Sequence, residues 1–182
     1  NLVGDHIDNY DFMINLAHFK GHPMGGFGGV LKNQSIGVAS ANGKAYIHTA
    51  GKTADKNLIW KENRDVPQDH FIEAMAASAQ SVHDYFNGKI LYINVMNNLS
   101  VDCDCNNHPA DPEMKDVGIL ASTDPVALDQ ACVDLVFNYP SQDGDDAKAL
   151  IERINSRHGV HIIEHAAAIG LGSREYELVK ID

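Results

Sequence analysis

The chain has 182 residues, which is enough for one domain with a substantial core, and its hydrophobic content of 44% is ordinary for a globular protein. The formal net charge of −11 comes from acidic residues spread along the chain, which argues against nucleic acid or an anionic membrane surface as a main partner. No apolar run approaches the roughly 18 residues that span a bilayer, so no membrane contact is expected.

The pattern of apolar residues predicts alternating strands and helices. Apolar or alternating runs predict strands at 12–17, 44–48, 89–96, 117–121 and 174–181, the last of them at a sheet edge. Helical periodicity and end signals predict helices at 67–86, 125–137, 147–157 and 160–169. We therefore predict a single α/β domain over residues 1–182, with a mixed or mostly parallel sheet and flanking helices.

The first predicted strand leads into a segment rich in basic side chains and glycines. These residues are His18, Lys20, His22, Gly25, Gly26, Gly28 and Gly29. Glycines lose much backbone entropy on ordering, so such a segment is usually kept for close backbone approach to a ligand. We predict that the glycines, with Lys20 and Lys32, bind a small anionic molecule through backbone N–H groups and positive charge. Because Phe27 is the only apolar anchor, we expect the segment to become ordered mainly with a ligand, a metal or a partner.

A second polar segment, residues 102–108, combines thiols, an imidazole and carboxylates. Thiols and imidazoles are ligands of zinc, iron and nickel, so we predict a divalent transition metal. The predicted ligands are His18, His22, Cys103, Cys105 and His108. The alternative interpretation is that the histidines are ordinary polar loop residues and the cysteines are reduced thiols of an exposed loop. Three cysteines are too few for a disulfide framework, which favours a reducing, cytoplasmic setting.

Strand topology decides whether these segments meet. If the strands at 12–17 and 89–96 run parallel in one sheet, the segments that follow them leave the same carboxyl edge, where open α/β sheets bind ligands. We expect the turn at 122–124 at that edge too. On this interpretation Lys20 and Asp124 are the catalytic residues, with Asp124 as a base; the alternative role of Asp124 is only to cap the helix that follows it.

Two further features are interpreted as structural. His161 and His165 lie four residues apart on a predicted helix, where a shared face is possible, but ordinary solvation is the preferred interpretation. Cys132 lies on the apolar stripe of a predicted helix, so we expect it to be buried. We expect Cys103 and Cys105 to be reduced and at least partly accessible.

Several blocks of the sequence resemble a known family. They are His18 to His22, Gly25 to Gly29, Leu31 to Asn33, Asp102 to Cys105, Gly118 to Ser122, Asp124 to Ala127, Asp129 with Gln130, and Gly170 to Ser173. In this order they resemble the bacterial family labelled "uncharacterised Fe-S centre protein", a domain of unknown function. The resemblance implies an α/β fold and a longer parent protein. It further implies that this chain is the carboxyl-terminal part and that the missing amino-terminal half is a partner.

The resemblance also bears on the cofactor and the function. Many relatives carry a ferredoxin module between the positions of Lys52 and Trp60, where this chain has a short stretch without cysteine. Three cysteines cannot supply the four thiolates of a ferredoxin cluster, so we expect no Fe–S cluster within this chain. We expect a metal-dependent enzyme or enzyme half that acts on a small anionic metabolite. The alternative is a non-catalytic ligand-binding or electron-transfer accessory domain.

Overall fold

A three-stranded sheet and a two-stranded hairpin form the β-structure of the computed structural model, which describes residues 1–181. The strands are β1 (Met13–His18), β2 (Lys20–His22), β3 (Gly26–Gly28), β4 (Ile90–Met96) and β5 (Gly118–Ser122). The sheet order is β1-β4-β5, and β4 runs parallel to β1 and antiparallel to β5. The prediction of an α/β fold with a mixed sheet is therefore confirmed.

Helices pack on one side of this sheet and connect its strands. They are α1 (Val30–Lys32), which continues into a π-helical turn at Asn33–Gly37, α2 (Ala41–His48), α3 (Ile59–Glu62), α4 (Gln68–Tyr85), α5 (Pro125–Phe137), α6 (Lys148–Ser156) and α7 (His161–Ala168). The helices predicted from periodicity correspond to α4, α5, α6 and α7. Within residues 1–181, no helix combines the length and the apolar character needed to cross a membrane.

Two of the predicted strands are wrong. The run at 44–48 lies in α2, because the Ser40 hydroxyl caps that helix by accepting a backbone hydrogen bond (3.1 Å) at its first turn. The run at 174–181 forms no strand in the part of the chain that the structure describes. It is tied to α5 by side chains instead, as the Tyr176 hydroxyl donates a hydrogen bond to the Asp134 carboxylate (2.8 Å).

The glycine-rich segment is a buried hairpin and not an open loop. β2 and β3 pair antiparallel, with Lys20 opposite Gly28. The Phe27 ring is 2% exposed and stacks on Phe19, with 5.3 Å between the ring centroids. Backbone pairing and the buried ring hold the segment in this hairpin. That the segment becomes ordered mainly with a ligand, a metal or a partner stays a prediction.

The two faces of the three-stranded sheet differ in burial. Alternate residues of β1 and β4, such as Asn15 and Tyr92, are buried beneath the helices. On the other face Ile14 and Leu16 are each 59% exposed and Ile119 is 71% exposed. The register places further apolar residues beside them. We call the surface formed by Ile14, Leu16, Leu91, Ile93, Val95, Ile119 and Ala121 the open sheet face.

The turn after β5 lies at the opposite end of the sheet from the segments that follow β1 and β4. Because β5 is antiparallel to β4, its last residue Ser122 pairs with Tyr92, near the start of β4. The Asp124 carboxylate caps α5 by accepting hydrogen bonds from the N–H groups of Val126 (2.8 Å) and Ala127 (3.0 Å). The expected convergence of three loops is therefore wrong, and the observed role of Asp124 is the helix cap.

Candidate functional site

The segments that follow β1 and β4 meet at the carboxyl edge of these parallel strands. The Gly21 N–H donates a hydrogen bond to the Ser100 carbonyl oxygen (2.8 Å). A Cβ atom at Gly21 would overlap the Val101 carbonyl group, so glycine is what lets β2 lie directly against residues 100–101. This contact brings the hairpin next to the cysteine-containing segment.

The Asp104 carboxylate links the two segments. It accepts hydrogen bonds from His18 Nδ1 (3.0 Å) and from the Lys20 ammonium group. Burial acts to raise the pKa of Asp104, but the hydrogen bonds and charges of Lys20 and His18 outweigh it and leave the pKa below its usual value. The other ring nitrogen of His18, Nε2, donates a hydrogen bond to the Asn97 carbonyl oxygen (2.7 Å). Both ring nitrogens of His18 are therefore engaged in hydrogen bonds.

His22 is a buried, neutral hydrogen-bond donor. Its Nδ1 accepts hydrogen bonds from the N–H groups of Met24 (3.2 Å) and Gly25 (3.0 Å), so its ring proton lies on Nε2. Burial, followed by the charges of neighbouring basic groups including Lys32 and Lys20, lowers the pKa of His22 to about 3. A neutral ring that offers one N–H suits an anionic ligand better than a metal ion.

Lys32 brings a second ammonium group towards Lys20. Among residues 1–181, no side chain or backbone group makes a hydrogen bond or ion pair with the Lys32 ammonium. Burial lowers the pKa of Lys32, the Cys103 thiol acts to raise it, and the charge of Lys20 lowers it further. We call Lys20, His22 and Lys32 the basic cluster, because the charges of both lysines lower the pKa of His22 and the charge of Lys20 lowers the pKa of Lys32.

Gly28 leaves space between the two lysines of the basic cluster. A Cβ atom at Gly28 would lie 3.7 Å from Lys20 Cε and 4.0 Å from Lys32 Cδ, which are ordinary van der Waals separations. Neither neighbour is a backbone or core atom, so packing does not require glycine at this position. Gly28 is therefore the hairpin glycine whose absent side chain opens room beside the positive charges.

The other glycines of the segment have structural explanations. A Cβ atom at Gly29 would overlap the buried carboxylate of Asp129, which caps α1 by accepting hydrogen bonds from its first two N–H groups (both 3.0 Å). Gly26 has a φ of +81°, and a Cβ atom there would lie 2.8 Å from the Cα atom of Gly159. Gly25 donates its N–H to the His22 ring. The ligand-binding role predicted for all four glycines is thus supported by geometry for Gly28 only.

Cys103 and Cys105 form a close thiol pair that acts electrostatically on Lys32. Their Sγ atoms are 2.8 Å apart and both cysteines are free. Cys105 is exposed and Cys132 is buried, as expected, but Cys103 is only 6% exposed, contrary to expectation. The hydrogen bond with Cys103, followed by burial, raises the pKa of the Cys105 thiol.

The metal ligands expected from the sequence do not form a preassembled site. Within residues 1–181, only one group of three or more His, Cys, Asp or Glu side chains has ligand atoms that all lie within 4.8 Å of one another, and it contains none of the expected ligands. His18 and His22 use ring nitrogens in the hydrogen bonds described above. His108 is exposed. Of the five expected ligands, Cys103 and Cys105 lie side by side, and metal binding at these residues stays a prediction.

Two basic groups that the sequence did not relate to His22, His48 and Arg153, also lower its pKa. His48, near the end of α2, donates a hydrogen bond from Nδ1 to the Lys44 carbonyl oxygen (2.7 Å), and burial lowers its pKa. Arg153, on α6, donates to the Val101 carbonyl oxygen (2.8 Å). His48 was not related to His22 because residues 44–48 were expected to form a strand. No sequence signal relates Arg153 on α6 to the hairpin.

The fold and the site define a mixed α/β protein with a basic, thiol-flanked site at the carboxyl edge of its parallel strands. The chain belongs to the family described as "Domain of unknown function (DUF362)", whose model matches residues 1–134. The matched residues include the basic cluster and the thiol pair. The comparison with curated proteins and the comparison with solved structures give no match to the chain.

Proposed function

We propose that the basic cluster binds a small molecule through an anionic group such as a carboxylate or a phosphate. The observation that carries this proposal is the partly buried ammonium of Lys32, which makes no hydrogen bond or ion pair with the described residues. A desolvated charge without a partner is costly, and a bound anion would offset that cost. Lys20 and the Nε2–H of His22 add donors, and Gly28 leaves space between the lysines.

The Asp104 carboxylate already contacts one part of this cluster. It engages Lys20 and His18 but makes no ion pair with Lys32. A bound carboxylate or phosphate is therefore expected to contact Lys32 first and to compete with Asp104 for Lys20. In this proposal Lys20 orients the anionic group.

The thiol pair supports the enzymatic form of the proposal, a metal-dependent enzyme or enzyme half acting on a small anionic metabolite. Two thiols with Sγ atoms 2.8 Å apart can supply two ligands to zinc, iron or nickel, with the remaining positions taken by water or substrate. The alternative is a non-catalytic ligand-binding or electron-transfer domain that uses the same contacts without turnover. Chemical conversion of the bound anion distinguishes the two.

A polypeptide partner is a further part of the proposal. The open sheet face exposes apolar side chains, with Ile119 71% exposed, and a contiguous apolar surface of this kind marks an interaction site. We propose that the amino-terminal half of a longer parent protein, which the family resemblance implies, covers this face. Coexpression of the two halves is expected to reduce the binding of a hydrophobic dye to this chain, and unchanged dye binding would contradict the contact.

Calorimetric titration with inorganic phosphate, a small dicarboxylate and a nucleotide tests the anion site. Lys32→Met is expected to weaken binding of the preferred anion by at least about tenfold, since a hydrogen bond to a charged group contributes roughly 1.5–3 kcal/mol. Lys61→Met is the matched control, because that side chain is 76% exposed on α3. If none of these anions binds the unmodified chain, or both substitutions weaken binding equally, the proposal is wrong.

A further inference from the structure

A cluster of two histidines and one carboxylate lies where α7 packs against α4. His161 and His165 are four residues apart on α7 and so share a face of that helix. Glu73 on α4 contacts both, with its Oε1 atom 3.0 Å from His161 Nε2 and 4.0 Å from His165 Nδ1. Among residues 1–181, this is the one group of three such side chains whose ligand atoms all lie within 4.8 Å of one another.

These separations are close to those of ligands around one metal ion. A tetrahedral ion with bonds of about 2.0–2.1 Å holds its ligand atoms roughly 3.3 Å apart. The 3.0 Å pair is a hydrogen bond whose proton a bound ion would displace, and its spacing is already near this value. The 4.0 Å pair needs to close by less than the reach of a side-chain rotation. Two imidazoles and one carboxylate are a donor set for borderline divalent transition metals, unlike the oxygen-only sets that bind calcium or magnesium.

The surroundings of the cluster favour a cation and leave it accessible. A second carboxylate, Glu164, places Oε2 3.5 Å from His161 Nδ1. His161 also lines an open cleft of about 260 Å³, together with Asp69 and Glu164. Water or a further ligand can therefore reach an ion held by His161 and complete its coordination.

We infer that Glu73, His161 and His165 form a binding site for a divalent transition metal ion such as Zn²⁺, Co²⁺ or Ni²⁺. The ion joins α7 to α4 and keeps at least one coordination position open to the cleft. This site shares no residue with the basic cluster or the thiol pair, so it stands independently of the proposed function.

The test is a calorimetric Zn²⁺ titration of the full chain carrying Cys103→Ser and Cys105→Ser, which removes the thiol pair as a competing metal site. We expect one bound ion per chain. Glu73→Gln and His165→Gln in this background are each expected to weaken binding by at least about tenfold, because loss of a ligand costs no less than the 10–100-fold typical of its supporting residues.

His158→Gln is the matched control for these substitutions. His158 is an exposed histidine three residues before His161, and its Nδ1 lies 2.7 Å from Asp69 Oδ1, outside the proposed ligand set. Its replacement is expected to leave the Zn²⁺ affinity within about twofold of the parent, since surface substitutions away from a site have small effects. Circular dichroism checks that each variant folds, and if His165→Gln does not fold, Glu73→Gln decides the test.

Co²⁺ absorption gives a second measurement on the same proteins. In the thiol-free chain, a nitrogen and oxygen donor set predicts visible d–d bands without the near-ultraviolet charge-transfer band of a Co²⁺–thiolate bond. The inference is overturned if the thiol-free chain binds no Zn²⁺, or if His158→Gln weakens binding as much as His165→Gln. Metal binding that needs only the cysteines would support a metal at the thiol pair, and it would also overturn the site formed by Glu73, His161 and His165.

Discussion

Gly29 and Asp129 lie against each other in the interior, so that a Cβ atom at Gly29 would lie 2.8 Å from Asp129 Cγ. The Asp129 carboxylate is fully buried and accepts hydrogen bonds from the first N–H groups of α1 and from Asn94 Nδ2 (2.7 Å). Through these bonds it holds α1, which carries Lys32, against β4 and α5. The glycine therefore makes room for a carboxylate that positions part of the basic cluster.

Gly29→Ala is expected to destabilise the protein by roughly 1–3 kcal/mol, because the added methyl group overpacks the Asp129 carboxylate. Gly28→Ala is the matched control, since its Cβ would meet only flexible lysine side chains at 3.7 Å and beyond. We expect Gly28→Ala to change the free energy of unfolding by less than about 0.5 kcal/mol. Urea unfolding measures both, and equal effects of the two substitutions would contradict the close contact.

Asp129 is expected to make stability depend on pH. Burial raises the pKa of Asp129 to about 6 from its ordinary value of 3.8, against the hydrogen bonds from Asn94 and the α1 backbone. The folded state therefore binds the Asp129 proton more tightly than the unfolded state does. The resulting contribution to the free energy of unfolding is complete below pH 3.8 and is lost as the pH rises through about 6. Compared with Asp129→Asn, the wild type should lose roughly 3 kcal/mol of unfolding free energy between pH 3.5 and pH 7. A difference that is constant across this pH range would contradict the raised pKa.

The thiols are expected to react in order of exposure. Cys105 is exposed, whereas Cys103 and Cys132 are buried. A thiol reagent added to the native chain should therefore label one cysteine quickly and the others only as the protein unfolds. Cys105→Ser should remove the fast phase. Two fast thiols in the native chain, or a fast phase that survives Cys105→Ser, would show that the arrangement of the thiol pair is wrong.

The open sheet face predicts unequal effects for two isoleucines of the same sheet. Ile119 is 71% exposed, so Ile119→Ala should change the free energy of unfolding by less than about 0.5 kcal/mol and should reduce hydrophobic dye binding. Ile90 is 2% exposed, so Ile90→Ala should cost about 2–5 kcal/mol. Chemical denaturation of the isolated chain compares them. A large cost at Ile119 would mean that this face is already covered.

Sequence patterns predicted the elements that carry strong local signals. α4 has a long apolar stripe, and Asp124 followed by Pro125 fixes the start of α5, so both helices were found close to their observed bounds. The apolar runs also identified β1 and β4 as strands, and their parallel pairing was a condition that the structure supplies. The direction of β5 was missed, because a period of two residues is the same in both directions along a strand.

The candidate site was predictable only in part, because a local sequence pattern does not show how distant elements pack together. Lys20, Lys32 and the cysteines were found because unusual residue types cluster in the sequence. Asp129 as a buried cap and Glu73 as the partner of two histidines depend on packing between distant elements, which no local pattern encodes. The neutral state of His22 likewise comes from burial among groups that are remote in sequence.

The most direct test of the central claim is nitrogen-15 NMR of the His22 imidazole, recorded at pH 5 and pH 7 during a phosphate titration. The account predicts that His22 stays neutral with its proton on Nε2 at both pH values, because its pKa is lowered to about 3. It also predicts that the Nε2–H signal shifts saturably with phosphate, and that Lys32→Met abolishes the shift. A His22 ring that titrates near the ordinary histidine value of 6.5, or a signal that phosphate does not move, would contradict an anion site at the basic cluster.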